Sequence, residues 1–164
     1  MKVASRGVTG VSLSTHIDAA PHDVWPLIAD PTRMGEWSPE CRRLEWLGPA
    51  EGPALGARFR GHNRNGPWRW STRCTIVRYE PESEISWDVD FYGLPVSRWT
   101  YRVQPEDEAQ CRLVEEFADR RGPVMRVIGV IGRGVRDAAV HNRRGMEETL
   151  RRIRAAAENA TLRG

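Results

Sequence analysis

One acidic residue stands among apolar neighbours near the end of the strand-rich part of the sequence. Cys111, Leu113, Glu115 and Phe117 are spaced two residues apart, and alternate residues of a β-strand point to the same face of the sheet. On a buried face, a carboxylate either finds a partner or has its pKa raised. Glu115 is therefore the strongest candidate for a ligand-anchoring or acid/base group. Two alternatives are a structural ion pair of Glu115 with an arginine, and a β-bulge that turns Glu116 inward instead.

Other kinds of chemistry find little support. The sequence has no nucleophile elbow, no HExxH zinc motif and no phosphate loop ending in Gly-Lys-Ser/Thr. Cys41, Cys74 and Cys111 are odd in number and lack the paired spacing of a zinc or redox motif, so we predict buried thiols. Residues 129–134 are glycine-rich without GxGxxG spacing; they indicate a flexible helical turn, with a phosphate cradle as the alternative. We predict neither a metal nor an organic cofactor.

The elements that must position Glu115 are mostly strands. Residues 8–17 alternate between apolar and polar side chains, which predicts a first strand, and residues 85–91 show the clearest alternation in the chain. Six such runs follow one another between residues 43 and 117, separated by turn clusters. Because parallel neighbours would need long crossovers, we predict an antiparallel sheet of about seven strands.

Two short helices are predicted between the first strand and the others. The first begins near Pro21, a favoured residue at the first helical position, and the second begins at Asp30-Pro31 and runs to about Trp37. Pro26 lies beyond the first turn of the first helix, where its ring clashes with the preceding turn. That helix should therefore be short, bent or partly 3₁₀.

A long amphipathic helix is predicted after Arg121. Its stripe, at steps of three or four residues, consists of Ile131, Val135, Ala138, Asn142, Met146, Thr149, Ile153 and Ala157, with Ile128, Ala139 and Leu150 beside it. Residues 119–164 carry 11 arginines against 5 acidic residues. Because most of these arginines lie off the stripe, we interpret them as a solvated outer face, with a nucleic-acid or anionic-membrane surface as the alternative.

Length and composition limit the overall organisation. The chain has 164 residues and a formal charge of +3, which suits one domain and is weak for phosphate-backbone binding. No window approaches the ~18 apolar residues of a membrane span, and no secretory signal is evident, so we expect a cytoplasmic protein. Seven tryptophans are more than a core of this size needs, and such rings line ligand cavities as well as cores.

The order of these elements resembles the START-like (SRPBCC) superfamily, and within it the polyketide cyclase/dehydrase branch. The resemblance covers nearly the whole chain and is carried by the order and spacing of its pieces. The matching residues are Ala20-Pro21-His22-Asp23-Val24-Trp25, Asp30-Pro31, Glu36-Trp37, Gly56-Ala57-Arg58-Phe59, Glu80-Pro81, Trp99-Thr100-Tyr101 and the helix after Pro123. It implies an α+β helix-grip fold in one ligand-binding domain over residues 1–164, with a core at about 8–160.

The resemblance also implies a pocket between the curved sheet and the long helix. Strand alternation and the helix stripe then give the expected ligand-binding residues, although each apolar member is also good core material. They are Trp37, Phe59, Trp87, Val89, Phe91, Trp99, Leu113, Phe117, Ile128, Ile131, Val135, His141 and Asn142. Tyr101 and Arg73 are lesser catalytic candidates beside Glu115, and Cys74 rather than Arg73 could face inward on its strand.

Three functions follow from this pattern. The first is binding of a small hydrophobic molecule, such as a lipid, an aromatic or a polyketide-like compound, by a monomer or homodimer without nucleic acid or integral membrane association. The second is a polyketide aromatase/cyclase that catalyses aldol condensation and dehydration, for which the match is incomplete because no tyrosine follows Trp37. The third is a protein or nucleic-acid module that uses the arginine face of the helix.

Overall fold

In the part of the chain that the structure describes, seven antiparallel strands form one sheet in the order β1-β7-β6-β5-β4-β3-β2. The computed structural model describes residues 10–133 and 138–163, and the side chains of residues 129–133 and 138 lie outside that description. The strands are β1 (Gly10–Ile17), β2 (Cys41–Leu47), β3 (Arg58–Asn65), β4 (Trp68–Glu80), β5 (Glu84–Phe91), β6 (Leu94–Pro105) and β7 (Cys111–Asp119). The predicted antiparallel meander is confirmed, with β1 returning to pair with the last strand.

The strand register defines two ends of the sheet. The β3–β4 and β5–β6 hairpins turn at one end, and the same end holds the start of β1, where Gly10 pairs with Ala118, and the start of β2, where Cys41 pairs with Asn63. We call this the hairpin end. The β4–β5 and β6–β7 turns lie at the opposite end.

Two short helices follow β1, as predicted. Helix α1 (Pro21–Ile28) contains Pro26 and spans only eight residues. A 3₁₀ turn (Pro31–Arg33) then leads directly into α2 (Met34–Trp37). Asp30 caps this turn, because its Oδ1 accepts hydrogen bonds from the backbone N–H of Thr32 at 2.8 Å and from the Thr32 hydroxyl at 2.6 Å.

Where one long helix is predicted, the described residues form two helices, α3 (Pro123–Arg133) and α4 (Ala138–Thr161). Helix α4 packs against β1. Its predicted stripe is buried from Met146 to Ala157, with Thr149, Leu150 and Ile153 between them. The outer face carries ion pairs three or four residues apart, such as Arg151 with Glu148 and Arg154 with Glu158. This arrangement agrees with a solvated outer face on α4.

The stripe prediction is wrong for Ile128. Among the α3 side chains that the structure describes, those of residues 123–128, Met125 is buried, whereas Val124, Val127 and Ile128 are exposed to 66%, 60% and 38%. The reason is that positions i, i+3 and i+4 share one helix face, and in α3 this face is turned away from the sheet. The side chain of Ile131 and the whole of Val135 lie outside the described residues.

Candidate functional site

A cavity of about 740 Å³ lies between the inner face of the sheet and α4. Its walls come from β2 to β7, the segment around Ser38 to Cys41, and the first turns of α4. The lining includes Arg64, Val140 and Arg144, which are exposed at the surface. These residues belong to the β3–β4 hairpin and the beginning of α4, so the cavity reaches the surface at the hairpin end.

Aromatic rings form much of the inner wall. Phe59, which is fully buried, meets the Trp87 ring edge-on with centroids 5.9 Å apart. Trp87 in turn stacks on Tyr101 with centroids 5.6 Å apart and an angle of 21° between the planes. A second pair, Trp99 and Phe117, is tilted with centroids 5.1 Å apart. Rings held by one another leave a rigid apolar wall, which suits a flat or elongated apolar molecule.

Glu115 lies in this wall and is paired with Tyr101. The two residues face each other across β6 and β7, and the Tyr101 hydroxyl donates a hydrogen bond to Glu115 Oε1 at 2.6 Å. Only 2% of Glu115 and 3% of Tyr101 is exposed. The other oxygen, Oε2, is buried and has no hydrogen-bond partner in the described part of the chain. The pair therefore satisfies one carboxyl oxygen and leaves the second available.

Burial controls the ionisation of both groups. It raises the pKa of Glu115 from its ordinary value of 4.5 to about 8, although the hydrogen bond from Tyr101 acts in the opposite direction. Burial, and then the nearby charge of Glu115, raises the pKa of Tyr101 well above its ordinary value. Near neutral pH Glu115 is therefore mostly a neutral acid. Because Oε1 accepts from Tyr101, the acidic proton belongs on Oε2, where it can be donated to a bound molecule.

Further polar side chains lie closer to the mouth. The His141 ring nitrogen Nε2 is 2.5 Å from Glu40 Oε2, which joins α4 to the segment before β2. Asn142 is only 7% exposed and lines the cavity. The cavity thus offers a second polar contact on α4, separate from Glu115 on β7.

The structure brings together most of the residues chosen from the sequence. Cavity-lining positions are occupied by Phe59, Trp87, Val89, Trp99, Tyr101, Glu115, Phe117, His141 and Asn142. Neither alternative for Glu115 is found: Glu115 bonds a tyrosine rather than an arginine, and Glu116 lies on the other face, where it pairs with Arg102 at 2.9 Å.

Three other residues that the sequence predicts in the cavity wall do not line the cavity. Trp37 is buried beside it, because its Nε1 donates to the carbonyl oxygen of Leu27 at 2.9 Å and anchors α2 to α1. Leu113 is fully buried opposite Thr15 of β1 and belongs to the core beyond the cavity. Phe91 follows a register shift between β5 and β6 after Val89, and its ring packs edge-on against Tyr92 at 4.7 Å.

Several lining residues were not among the sequence candidates. Met34 of α2 and Cys41, Asn63 and Ser97 of the strands contribute to the walls. Only the packing of α2 and the register of the strands could have identified them. Cys74 does face inward, as suggested, because it pairs with Phe59 in the β3–β4 register while Arg73 is exposed. Burial raises the pKa of the Cys41 and Cys74 thiols to about 12, so neither is a nucleophile at neutral pH.

In the described ranges, no group of three or more His, Cys, Asp or Glu side chains is placed to hold a metal ion. None of the described helices is long and apolar enough to cross a membrane.

Sequence comparison gives the family. Residues 9–158 match the family described as "Polyketide cyclase / dehydrase and lipid transport". The chain belongs to this family. The resemblance to START-like proteins is therefore confirmed for nearly the whole sequence. No protein of curated function matches the chain in sequence.

Solved structures of polyketide cyclase/dehydrase and START-type proteins share this fold. A polyketide-cyclase-like protein from Corynebacterium glutamicum is 28% identical, with 94% of both chains covered and a TM-score of 0.62. The Zhui aromatase/cyclase from a Streptomyces species is 17% identical, with 94% of this chain and 96% of that chain covered and a TM-score of 0.67. A START superfamily protein from Mycobacterium smegmatis is 12% identical, with 94% and 97% covered and a TM-score of 0.62. The last two show the fold alone.

Proposed function

We propose that this member of the polyketide cyclase/dehydrase and lipid transport family binds a small, mainly apolar molecule in the cavity and hydrogen-bonds one oxygen of that molecule through Glu115. The observation that carries the proposal is the buried Oε2 of Glu115, which has no partner among the described residues. A buried polar atom without a hydrogen bond costs about 1–3 kcal/mol. A ligand oxygen at Oε2 would remove this cost.

The chemistry of Glu115 limits the kind of ligand oxygen. With a pKa of about 8, the carboxyl is mostly neutral near pH 7 and donates from Oε2. A neutral donor suits a carbonyl or ether oxygen, whereas a ligand carboxylate would place a second acid beside Glu115. The stacked Trp87 and Tyr101 rings nearby suit a planar skeleton. We therefore expect a ketone or quinone-like group on an aromatic or polyene skeleton.

A pair of simple probes tests this proposal. 1-Tetralone and tetralin share a bicyclic skeleton, and only the first has a carbonyl oxygen. Both are titrated at pH 6 while tryptophan fluorescence is followed, since Trp70, Trp87 and Trp99 line the cavity. Replacing Glu115 by Leu should lower the ratio of tetralone to tetralin affinity by about two- to tenfold, the worth of one hydrogen bond. An unchanged ratio would show that Glu115 does not contact the ligand oxygen.

A cavity-filling variant provides a second test of ligand binding in the cavity. Gly61 on β3 lines the cavity, and a Cβ at this position would approach Thr72 Oγ1 only to 3.4 Å. The substitution Gly61→Phe should therefore fill the cavity and abolish binding of both probes. The matched control is Arg60→Phe, an exposed neighbour on the opposite strand face. If Gly61→Phe binds the probes as well as the wild type does, the binding site lies elsewhere.

The aromatase/cyclase function is a second candidate, favoured by the hydrogen bond between Tyr101 and Glu115. An aldol condensation followed by dehydration needs a group that removes a proton from carbon and a group that protonates oxygen. A carboxyl with a pKa of about 8 is present in both forms near neutral pH, so it can serve in either role. On β4, however, Cys74 rather than Arg73 faces the cavity, which removes one candidate for polarising a carbonyl.

The two candidates differ in what they require of Glu115. The substitution Glu115→Gln retains a hydrogen-bond donor but cannot accept and return a proton. A carrier should keep its affinity for 1-tetralone in this variant. A cyclase should retain binding and lose turnover of a poly-β-ketone thioester by at least about 100-fold. Absence of any turnover by the wild type would exclude the cyclase and leave the carrier.

The remaining expectations from the sequence stay predictions. They are the single domain, the cytoplasmic location, the monomeric or homodimeric state and the absence of nucleic-acid binding.

A further inference from the structure

Helix α3 presents an apolar face to the outside of the molecule. Val124, Val127 and Ile128 occupy positions i, i+3 and i+4 and are exposed to 66%, 60% and 38%. Within residues 123–128, Met125 is the buried side chain, at 6% exposure. An amphipathic helix normally turns its aliphatic stripe toward the core. The apolar face of α3 is therefore without a partner in the described part of the chain.

Other exposed apolar side chains gather at the same end of the molecule. Helix α3 follows β7, whose last residues lie at the hairpin end, and it packs near β4 and β6. Nine large apolar side chains of the described residues are exposed, and seven of them lie on α3, on the two hairpins or at the start of α4. The seven are Trp68, Tyr92, Leu94, Val124, Val127, Ile128 and Val140. We call this group the apolar rim.

The chain around α3 is strongly basic. Residues 120–136 contain five arginines and no acidic residue. Two of these arginines pair with acids outside the segment, Arg120 with Asp88 and Arg121 with Asp119. Arg126 lies within the helix and is exposed, as are Arg64 and Arg144 at the cavity mouth. Exposed aliphatic side chains flanked by arginines, without acidic residues between them, are the composition of helices that lie in the headgroup region of anionic membranes.

We propose that the apolar rim docks on the surface of an anionic lipid bilayer, with Val124, Val127 and Ile128 inserted between headgroups and the arginines against phosphate. Two other occupants fit less well. Nucleic acid would contact the arginines but leave the aliphatic stripe in water. A second copy of the chain would bring two basic segments together, and the neighbouring acids Asp88 and Asp119 are already paired within the chain.

The apolar rim lies beside the mouth of the cavity, so docking would bring the bilayer to that mouth. The cavity reaches the surface at the hairpin end, beside Val140 and Arg144. A bilayer held against the rim would therefore lie over the cavity mouth. An apolar molecule could then pass between bilayer and cavity with little exposure to water. This consequence rests on the proposed ligand binding, whereas the docking itself does not.

Vesicle cosedimentation tests the docking. Vesicles of phosphatidylcholine with about one-third phosphatidylglycerol are compared with pure phosphatidylcholine vesicles. The wild type should bind the anionic vesicles, and Val124→Asp combined with Val127→Asp should weaken binding at least about tenfold, because two aliphatic contacts are lost and two negative charges are added. The matched control is Leu55→Asp combined with Leu162→Asp, two residues exposed to 71% and 85% outside the rim. This control should bind like the wild type.

Several results would contradict membrane docking. Failure of the wild type to bind anionic vesicles, or equal loss in the rim and control variants, would overturn the proposal. So would a rim variant that changes a dimer to a monomer in light scattering, or a wild type that binds duplex DNA but not vesicles. The variant Gly61→Phe separates the two proposals, because it should bind vesicles while losing the cavity probes.

Discussion

The ionisation of Glu115 gives a quantitative prediction about stability. Burial raises its pKa in the folded protein to about 8, whereas its ordinary value is 4.5. The folded state therefore holds a proton on Glu115 that the unfolded state releases between these two pH values. By linkage, this contribution to stability is fully present below pH 4.5 and is lost as the pH rises through 8. Replacement of Glu115 by Gln removes the dependence, because an amide does not titrate.

The size of the stability change follows from the difference between the folded-state and ordinary pKa values of Glu115. One pKa unit corresponds to about 1.4 kcal/mol. Between pH 5 and pH 9, the wild type should therefore lose about 4 kcal/mol of unfolding free energy relative to Glu115→Gln. For a chain of this length, such a difference shifts the melting temperature by roughly 10 °C. The Gln variant should be the more stable protein at pH 9, with the gap much smaller at pH 5.

The assay is thermal and urea unfolding of both proteins at pH 5, 7 and 9, followed by circular dichroism. Other titrating groups are common to the two proteins and cancel in the difference. The control is Glu116→Gln, since Glu116 lies on the opposite sheet face and pairs with Arg102 at 2.9 Å. Its difference from the wild type should not widen toward pH 9. If the gap between wild type and Glu115→Gln is the same at all three pH values, Glu115 ionises freely and the reasoning is wrong.

Two further substitutions give predictions of the same kind. Tyr101→Phe removes the hydrogen bond at 2.6 Å that favours the ionised form of Glu115. This substitution should lower the unfolding free energy by about 1–3 kcal/mol. It should also raise the pKa of Glu115 further, which a ¹³C NMR titration of the carboxyl would measure. His16 hydrogen-bonds two carboxylates, of Asp18 at 3.0 Å and Glu106 at 2.5 Å, which raise its pKa above 6.5. The stability that His16→Gln removes should be fully present below pH 6.5 and disappear as the pH rises through the elevated pKa; melting curves that differ equally at pH 6 and pH 9 would contradict this.

Much of the sheet could be predicted from the sequence because one physical rule governs it. Side chains on a strand alternate between faces, so locating the strands also placed Trp87, Trp99, Phe117 and Glu115 on the inner face. The rule fails where the register changes. Phe91 follows a shift between β5 and β6 and leaves the inner wall, although its position in the alternation matches that of Trp87.

The helical part was less predictable, because an apolar stripe indicates a face without naming what covers it. For α4 the stripe met the sheet, as the core requires. For α3 the same periodicity places Ile128 on the outside, where only a known position of the helix relative to β4 and β6 could have put it. The expectation that Trp37 lines the cavity is wrong, because its indole N–H donates to the Leu27 carbonyl oxygen and the ring packs in the core.

The energetic position of Glu115 is the strongest argument that the cavity has a ligand. Cys111, Leu113 and Phe117 on that strand face are apolar. A leucine at position 115 would remove both the burial of a carboxyl and the need for a partner at Oε2. Replacing buried polar groups by apolar ones of similar size is often neutral or stabilising. The protein instead keeps a carboxyl that holds its second oxygen without a partner in the described residues and shifts its pKa to about 8. Glu115 lowers the unfolding free energy at neutral and alkaline pH, and its presence is explained if a bound molecule completes its hydrogen bonds. The ratio of ketone affinity to hydrocarbon affinity measures whether a ligand oxygen bonds Glu115.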